Sequence, residues 1–190
     1  MGYFDIKKNV IEYIKMTRDY DGRDLIKVLK KHLEKSSHVL ELGMGPGKDL
    51  EILNESFRVT GSDSSKIFLD LYRKKHRNAD LILLDAVKMD TPGKFDCIYS
   101  NKVLIHLSKS ELLESFKNQN NVLKDNGILF HSFWYGDKEE EHNGLRFVYY
   151  NENSLQRYYQ DFFETVEITN YKELEENDSL LVVLRKKDLN

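Results

Sequence analysis

The chain has 190 residues, a formal net charge of -3, 40% hydrophobic and 32% charged residues. That is enough for one ordinary domain with a full core and too apolar for a disordered chain. The near-neutral balance excludes a global basic field for nucleic acid, and apolar runs such as Leu81-Ile82-Leu83-Leu84 fall far short of a membrane span.

Nothing in the pattern divides the chain: there is no repeat, no low-complexity stretch and no Pro/Gly-rich linker, so one domain over 1–190 is expected. The basic runs Lys30-Lys31-His32 and Arg73-Lys74-Lys75-His76-Arg77 read as solvated helix faces. The single cysteine, Cys97, permits no intrachain disulfide; it reads as a buried thiol and points to a reducing cytoplasm. Asp5, Lys7 and Lys8 interrupt any apolar leader, so no secretory signal is expected. Ile6 stands where a myristoylation motif beginning at Gly2 wants Ser or Thr.

The first 35 residues read as two helices, a cap and a first core helix. Val10, Ile11, Ile14 and Met16 form one apolar stripe, and Leu25, Ile26, Val28, Leu29 and Leu33 a stronger one, with Asp21-Gly22 between. The pattern then becomes alternating. Strands are predicted from Val39, over 57–62, over Asp80 to Leu84, over Phe95 to Ser100 and over Gly127 to Phe133. Helices are predicted over Leu50 to Glu55, Ser65 to His76 and Ser108 to Leu123. Ser108-Lys109-Ser110-Glu111 has capping-box spacing, and Asn126-Gly127 supplies the turn into the fifth strand. Asp137 to Glu141 reads as a solvated loop. Two last strands, Phe162 to Ile168 and Leu180 to Leu184, are joined by too short a polar loop for a crossover, so they must pair antiparallel. The whole reads as α/β: a mostly parallel sheet with helices on both faces and one antiparallel strand near an edge.

The strongest local signal is Val39-Leu-Glu-Leu-Gly-Met-Gly-Pro-Gly47, a strand running into three glycines at alternate positions. Such glycines turn the backbone sharply and let a ligand approach it. A phosphate-binding P-loop fails here, because Leu42 and Asp49 stand where Gly and Ser/Thr are required. A dinucleotide fingerprint is weakened by Lys48 in place of its third glycine, although Lys48 could meet a phosphate. S-adenosylmethionine is the third candidate: it is cationic at sulfur and nitrogen and has no phosphate, so carboxylates favour it and repel a pyrophosphate. Glu41 precedes the glycines, Asp63 follows strand two, and Asp85 follows strand three. Asp63 lies twenty positions after Gly43, where a carboxylate accepts from both ribose hydroxyls. Asp85-Ala86 is placed to read the adenine.

These segments together resemble class I S-adenosylmethionine-dependent methyltransferases of the small-molecule type. Val39 to Gly47 looks like their first motif, Thr60-Gly-Ser-Asp63 the ribose-binding strand end, and Leu84-Asp-Ala86 the adenine contact. Phe95 to Leu107 resembles the fourth motif, and Leu123 to Phe130 the passage into strand five. The resemblance implies a three-layer α/β/α sandwich on a seven-stranded sheet of order 3-2-1-4-5-7-6, strand seven antiparallel, with an N-terminal helical cap. It implies cofactor contacts from Tyr20, Glu41, Gly43, Met44, Gly45, Gly47, Asp63, Ser64, Asp85, Ala86, Ser100 and Asn101. The Ser100 carbonyl would take the methionyl ammonium, Tyr13 and Tyr20 would face the cofactor from the cap, and His106 would lie near the methyl group as a base or a positioning group.

The acceptor is expected over the ends of strands four and five, with Trp134, Tyr135, Arg146 and Tyr149 as candidate walls and Arg146 the candidate partner of an anion. His131 reads as a satisfied core histidine. After strand four, Asn101-Lys102-Val103-Leu104 lacks the Pro-Pro-aromatic pattern of enzymes that methylate nucleic-acid amino groups, and Cys97 is mid-strand rather than in a Pro-Cys. No His, Cys or Asp cluster has metal-ligand spacing. A small-molecule acceptor remains, with the protein a monomer or homodimer. A nicotinamide oxidoreductase and a non-catalytic S-adenosylmethionine-binding protein are the alternatives.

Overall fold

A computed structural model describes residues 2–188. Seven strands form one sheet: β1 (His38–Leu42), β2 (Arg58–Asp63), β3 (Leu81–Leu83), β4 (Phe95–Asn101), β5 (Leu123–Trp134), β8 (Phe163–Tyr171) and β9 (Ser179–Lys186). Their order is β3-β2-β1-β4-β5-β9-β8. β1 to β5 pair in parallel, and β9 is antiparallel to both its neighbours. This is the expected 3-2-1-4-5-7-6 arrangement. The numbers shift because a separate two-stranded hairpin, β6 (Glu139–His142) and β7 (Leu145–Val148), is inserted after β5.

Two apolar clusters cover the faces, and the period-two alternation of strands assigns residues to them. Leu40, Leu42, Ile98, Leu129 and Phe133 face one cluster with Leu112 and Phe116 of α5 (Lys109–Val122). Val39, Cys97, Tyr99, Ile128 and Phe130 face the other. There they meet Leu25, Ile26 and Leu29 of α2 (Arg23–Leu29) and Leu50 and Leu53 of α3 (Lys48–Leu53). α4 (Lys66–Lys75) adds Leu69 and Tyr72 to this face. Cys97 is fully buried there. The α5 capping box forms as spaced: Ser108 Oγ accepts from the Glu111 amide, and the Glu111 carboxylate accepts from the Ser108 amide.

Three local readings need correction. The stripe of α1 (Lys7–Met16) is narrower than expected, because Val10 is buried while Ile11 and Met16 face solvent. Residues 137–141 are not a plain loop: β6 occupies most of them, and the hairpin closes through Asn143-Gly144, both at positive φ. α6 (Glu152–Tyr159) was not expected. Asn151 caps it by accepting from the Ser154 amide, and it buries Leu155 and Tyr159. Among the described residues no helix is long and apolar enough to cross a membrane.

Candidate active site

The glycine loop sits where β1 ends, between β2 and β4, so residues from three strand ends meet it. Gly43 has φ +64, and a Cβ there would lie 2.6 Å from the Val103 side chain, which packs against the loop from the segment after β4. Gly45 has φ +49 and is the open position, where a Cβ would meet only the Tyr13 ring at 3.5 Å. The loop is pinned below by the Met44 amide donating to the Ser62 carbonyl at 2.8 Å and by the Gly47 amide donating to the Met44 carbonyl at 2.8 Å. Met44 is buried.

Three buried carboxylates surround this loop. Asp63, at the end of β2, accepts from the Gly45 amide at 2.9 Å and from the Ser65 amide at 2.8 Å. Burial raises its pKa against the pull of those amides. An ionised carboxylate offers about four lone-pair sites, so acceptor capacity for further donors remains. Glu41 has a buried Oε2 with no partner, and burial, followed by the charges of Asp49 and Asp63, pushes its pKa well up. Asp49, on the first turn of α3, accepts through Oδ2 from the Tyr99 hydroxyl at 2.7 Å and from Asn101 Nδ2 at 3.2 Å. Its Oδ1 is buried without a partner, and burial raises its pKa more than those two bonds lower it. No cation of the described residues pairs with any of the three.

The cap closes over this group. Tyr13 packs edge-on against Phe4 and Phe68, and its hydroxyl is pushed up to about 12 by burial, then by Asp63, Asp49 and Glu173. Asn101 Nδ2 donates to the Tyr20 hydroxyl, joining the cap to the end of β4, and Ser132 Oγ donates to Asn101 Oδ1. Lys48 lies at the rim, exposed, donating to the Arg18 carbonyl at 2.9 Å.

Asp85 sits on the far side of β2, exposed, its Oδ1 accepting from the Val87 and Lys88 amides at 2.7 and 3.2 Å. It lines an open cleft of about 310 Å³ together with Ser64, Leu83, Leu84, Lys88 and Asp90. Leu83 offers that cleft an exposed apolar side chain. Behind the same turn, between Lys88–Pro92 and α5, lies a larger open cleft of about 550 Å³, which contains none of the expected site residues. The Ala86 carbonyl accepts from Ser115 Oγ, and Ser100 Oγ meets His131 Nδ1 at 2.8 Å.

The expected acceptor residues divide. Trp134 stands next to the site: Lys102 Nζ lies 4.1 Å from its ring centroid and pairs with Glu173 at 3.0 Å. Tyr135 is about one-third exposed, its amide bound to the Asp178 carbonyl. Arg146 and Tyr149 are engaged within the hairpin, Arg146 with Glu139 at 3.2 Å and the Tyr149 hydroxyl with Glu140 at 2.6 Å. His106 Nδ1 donates to the Arg146 carbonyl at 2.7 Å, and its ring packs edge-on to Phe147. Burial lowers its pKa, so near neutral pH it is uncharged with Nε2 carrying the lone pair.

Sequence reasoning overlooked Asp49, Tyr99 and Lys102. Asp49 entered only as a residue that breaks a P-loop. An acid in the first turn after a glycine loop, with a tyrosine mid-strand in the neighbouring motif, was the available signal. Lys102 gave none, because its left-handed backbone (φ +55) is what turns it toward Trp134.

Residues 39–127 match the family described as "Methyltransferase domain". Among curated proteins, no sequence matches significantly. Solved structures match over nearly the full chain. The PH0226 protein from Pyrococcus horikoshii OT3 is 22% identical with TM-score 0.76, covering 93% of this chain and 99% of its own. An S-adenosylmethionine-dependent methyltransferase from Clostridium acetobutylicum ATCC 824 is 15% identical with TM-score 0.77, covering 95% and 98%. The 1,6-didemethyltoxoflavin-N1-methyltransferase of Burkholderia thailandensis, solved with 1,6-didemethyltoxoflavin and S-adenosylhomocysteine, is 19% identical with TM-score 0.78, covering 97% and 88%. The matches over nearly the full chain and the strand order show that the chain has the fold of these solved structures, methyltransferases among them, and residues 39–127, which hold the glycine loop and the acids at the strand ends, are similar to the methyltransferase domain.

Proposed function

We propose that this enzyme methylates a small molecule, with one domain holding both S-adenosylmethionine and the acceptor. The observation that carries the cofactor assignment is the pair of orphaned buried oxygens, Glu41 Oε2 and Asp49 Oδ1, in a three-carboxylate group around a glycine loop. Such a group suits a ligand with positive charge and no phosphate; a pyrophosphate would be repelled, which disfavours a nicotinamide cofactor. S-adenosylmethionine, when bound, supplies a methyl group already activated by the sulfonium.

The protein's part is then holding and aligning, which is worth up to about 7–11 kcal/mol in barrier. Asp63 holds the ribose hydroxyls, and Asp85 and Ala86 hold the adenine beside Ser64 and Leu83. The Ser100 carbonyl, with Glu41 and Asp49 behind it, holds the ammonium. Gly43, Met44, Gly45 and Gly47 form the cradle, and Tyr20 and Asn101 close it at the β4 end. Trp134, fixed by Lys102, walls the acceptor side with Tyr135. His106 positions the hairpin that carries Arg146 and Tyr149, and its Nε2 is available to an acceptor that sheds a proton.

A small-molecule acceptor is supported by the slight additions to the sheet and its covering helices, which among the described residues are the cap and one short hairpin. The Burkholderia neighbour, solved with such a ligand, supports the same reading. The test is calorimetry with S-adenosylhomocysteine and NADH, followed by a methyl-transfer screen over small acids, amines, phenols and thiols with S-adenosylhomocysteine detection. Tight binding of NADH and none of S-adenosylhomocysteine would sink the cofactor assignment. Transfer only to protein or nucleic acid would sink the acceptor class.

A further inference from the structure

On the sheet face opposite Glu41 and Asp49, a series of buried polar side chains runs from the end of β4 to the turn after β3. Ser100 Oγ meets His131 Nδ1 at 2.8 Å; His131 Nε2 meets Gln119 Oε1 at 2.8 Å. Gln119 Nε2 donates to Ser115 Oγ at 2.9 Å, and Ser115 Oγ donates to the Ala86 carbonyl at 2.6 Å. Ser115, Gln119 and His131 are fully buried, and Ser100 is 1% exposed. The directions are forced. The Gln119 nitrogen is spent on Ser115, so its oxygen accepts from His131 Nε2–H, which leaves Nδ1 to accept from the Ser100 hydroxyl. Every donation therefore points from Ser100 toward Ala86.

Apolar side chains of similar shape would fill this space with little or no loss of stability, so packing alone does not account for the series. Its two ends are what distinguish it. Ser100 and Ala86 belong to the two halves of the cofactor site, and Asn118 Nδ2, from the same helix, donates to the Val87 carbonyl at 2.9 Å in the same turn. We propose that His131, Gln119 and Ser115 are positioning residues that lock the Asp85–Lys88 turn to the end of β4, so that the adenine and methionyl ends of the cofactor are gripped at a fixed separation. This rests on the cofactor assignment above.

The experiment compares Gln119→Leu, Ser115→Ala and Ser115→Thr with Leu112→Ala, a buried α5 position outside the series. Two readouts are taken on each folded protein: amide hydrogen exchange at Val87 and Lys88 without ligand, and S-adenosylhomocysteine affinity. Gln119→Leu and Ser115→Ala, each of which removes two bonds of the series, are expected to speed exchange and weaken binding by about tenfold. Ser115→Thr, which keeps the hydroxyl, is expected to restore both. Leu112→Ala is expected to lower the melting temperature and leave affinity within about twofold. Unchanged exchange in both series variants, or equal weakening by Leu112→Ala, overturns the proposal. If the wild type does not bind S-adenosylhomocysteine, the functional reading fails, and exchange in the free protein still decides whether the lock exists.

Discussion

The carboxylates around the glycine loop and the series from Ser100 to Ala86 are both buried and polar, and adjacent residues of β4 feed them: Tyr99 reaches Asp49 on one face, Ser100 reaches His131 on the other. Along the series through His131 every donor finds an acceptor. On the Asp49 face two carboxylate oxygens find nothing, and three acids lift one another's pKa or are lifted by burial. A folded protein leaves few buried polar atoms unpaired, and each one has a reason. Under the proposed function the satisfied network is framework, and the unpaired oxygens are where the cofactor would complete the structure.

The largest effect is expected from Gly45→Val. The left-handed backbone strains a β-branched residue, and the side chain fills the one open position of the loop, so S-adenosylhomocysteine binding should be lost to calorimetry while circular dichroism stays native. Retained binding would move the site off the loop.

Glu41→Gln and Asp49→Asn sharpen the comparison, because they should move binding and stability in opposite directions. Affinity for S-adenosylmethionine falls, by roughly 1.5–3 kcal/mol for a lost charge-assisted contact. Stability of the free protein rises, since a carboxyl whose folded pKa is raised loses stability as pH climbs from its unfolded value through the folded one. The variants should therefore gain over wild type in melting temperature above about pH 4–5, the ordinary carboxylate range, and the gain should vanish in acid. A fall in both properties would make these acids structural.

His131 carries the opposite sign. Burial depresses its pKa to about 3, so the unfolded chain takes up a proton at higher pH than the folded one. This group's contribution to stability is fully present above about pH 6.5 and is lost at up to about 1.4 kcal/mol per pH unit as pH falls toward the folded value. Urea melts of wild type and His131→Asn across pH 4 to 7 should differ by that slope; parallel curves would show that the imidazole is not held neutral.

The smallest effect is expected at His106. His106→Gln keeps a donor for the Arg146 carbonyl, so turnover should stay within about tenfold of wild type at saturating cofactor. A fall of about 10²–10⁴, with a pH–rate profile that loses its acidic limb, would make His106 a true general base.

Much of the sheet was legible because β1, β3 and β4 are short, mostly apolar runs, and because Asp63, Asp85 and Gly43 sit at strand ends where spacing carries information. The hairpin was missed although Asn143-Gly144 is a strong turn signal, because Glu139-Glu140-Glu141-His142 has no apolar alternation to mark it as a strand. α6 was missed because only Leu155 and Tyr159 mark a buried face over its eight residues, too short a stripe to read as a helix. The site was legible on the backbone side, as loop and strand ends. It was illegible where tertiary contact decides: nothing local announces that Asp49 would meet Tyr99 and Asn101 from fifty residues away, or that the cap would deliver Tyr20 to the same spot.

The β6–β7 hairpin forms its own two-stranded sheet, with a tip at Gly144 where an added Cβ would meet nothing within 4 Å. It is tied down by the His106–Arg146 bond, by the Tyr150 amide donating to the Trp134 carbonyl and by the Tyr135–Tyr150 bridge at its base. Such an element can drift under selection almost independently of the body that carries it. Insertions at the tip or exchanges along Glu139 to Arg146 would leave both cores untouched, whereas Phe147 and Val148 pack into one of them; under the proposed function, hairpins grafted up to that boundary are the natural route to redesigned specificity.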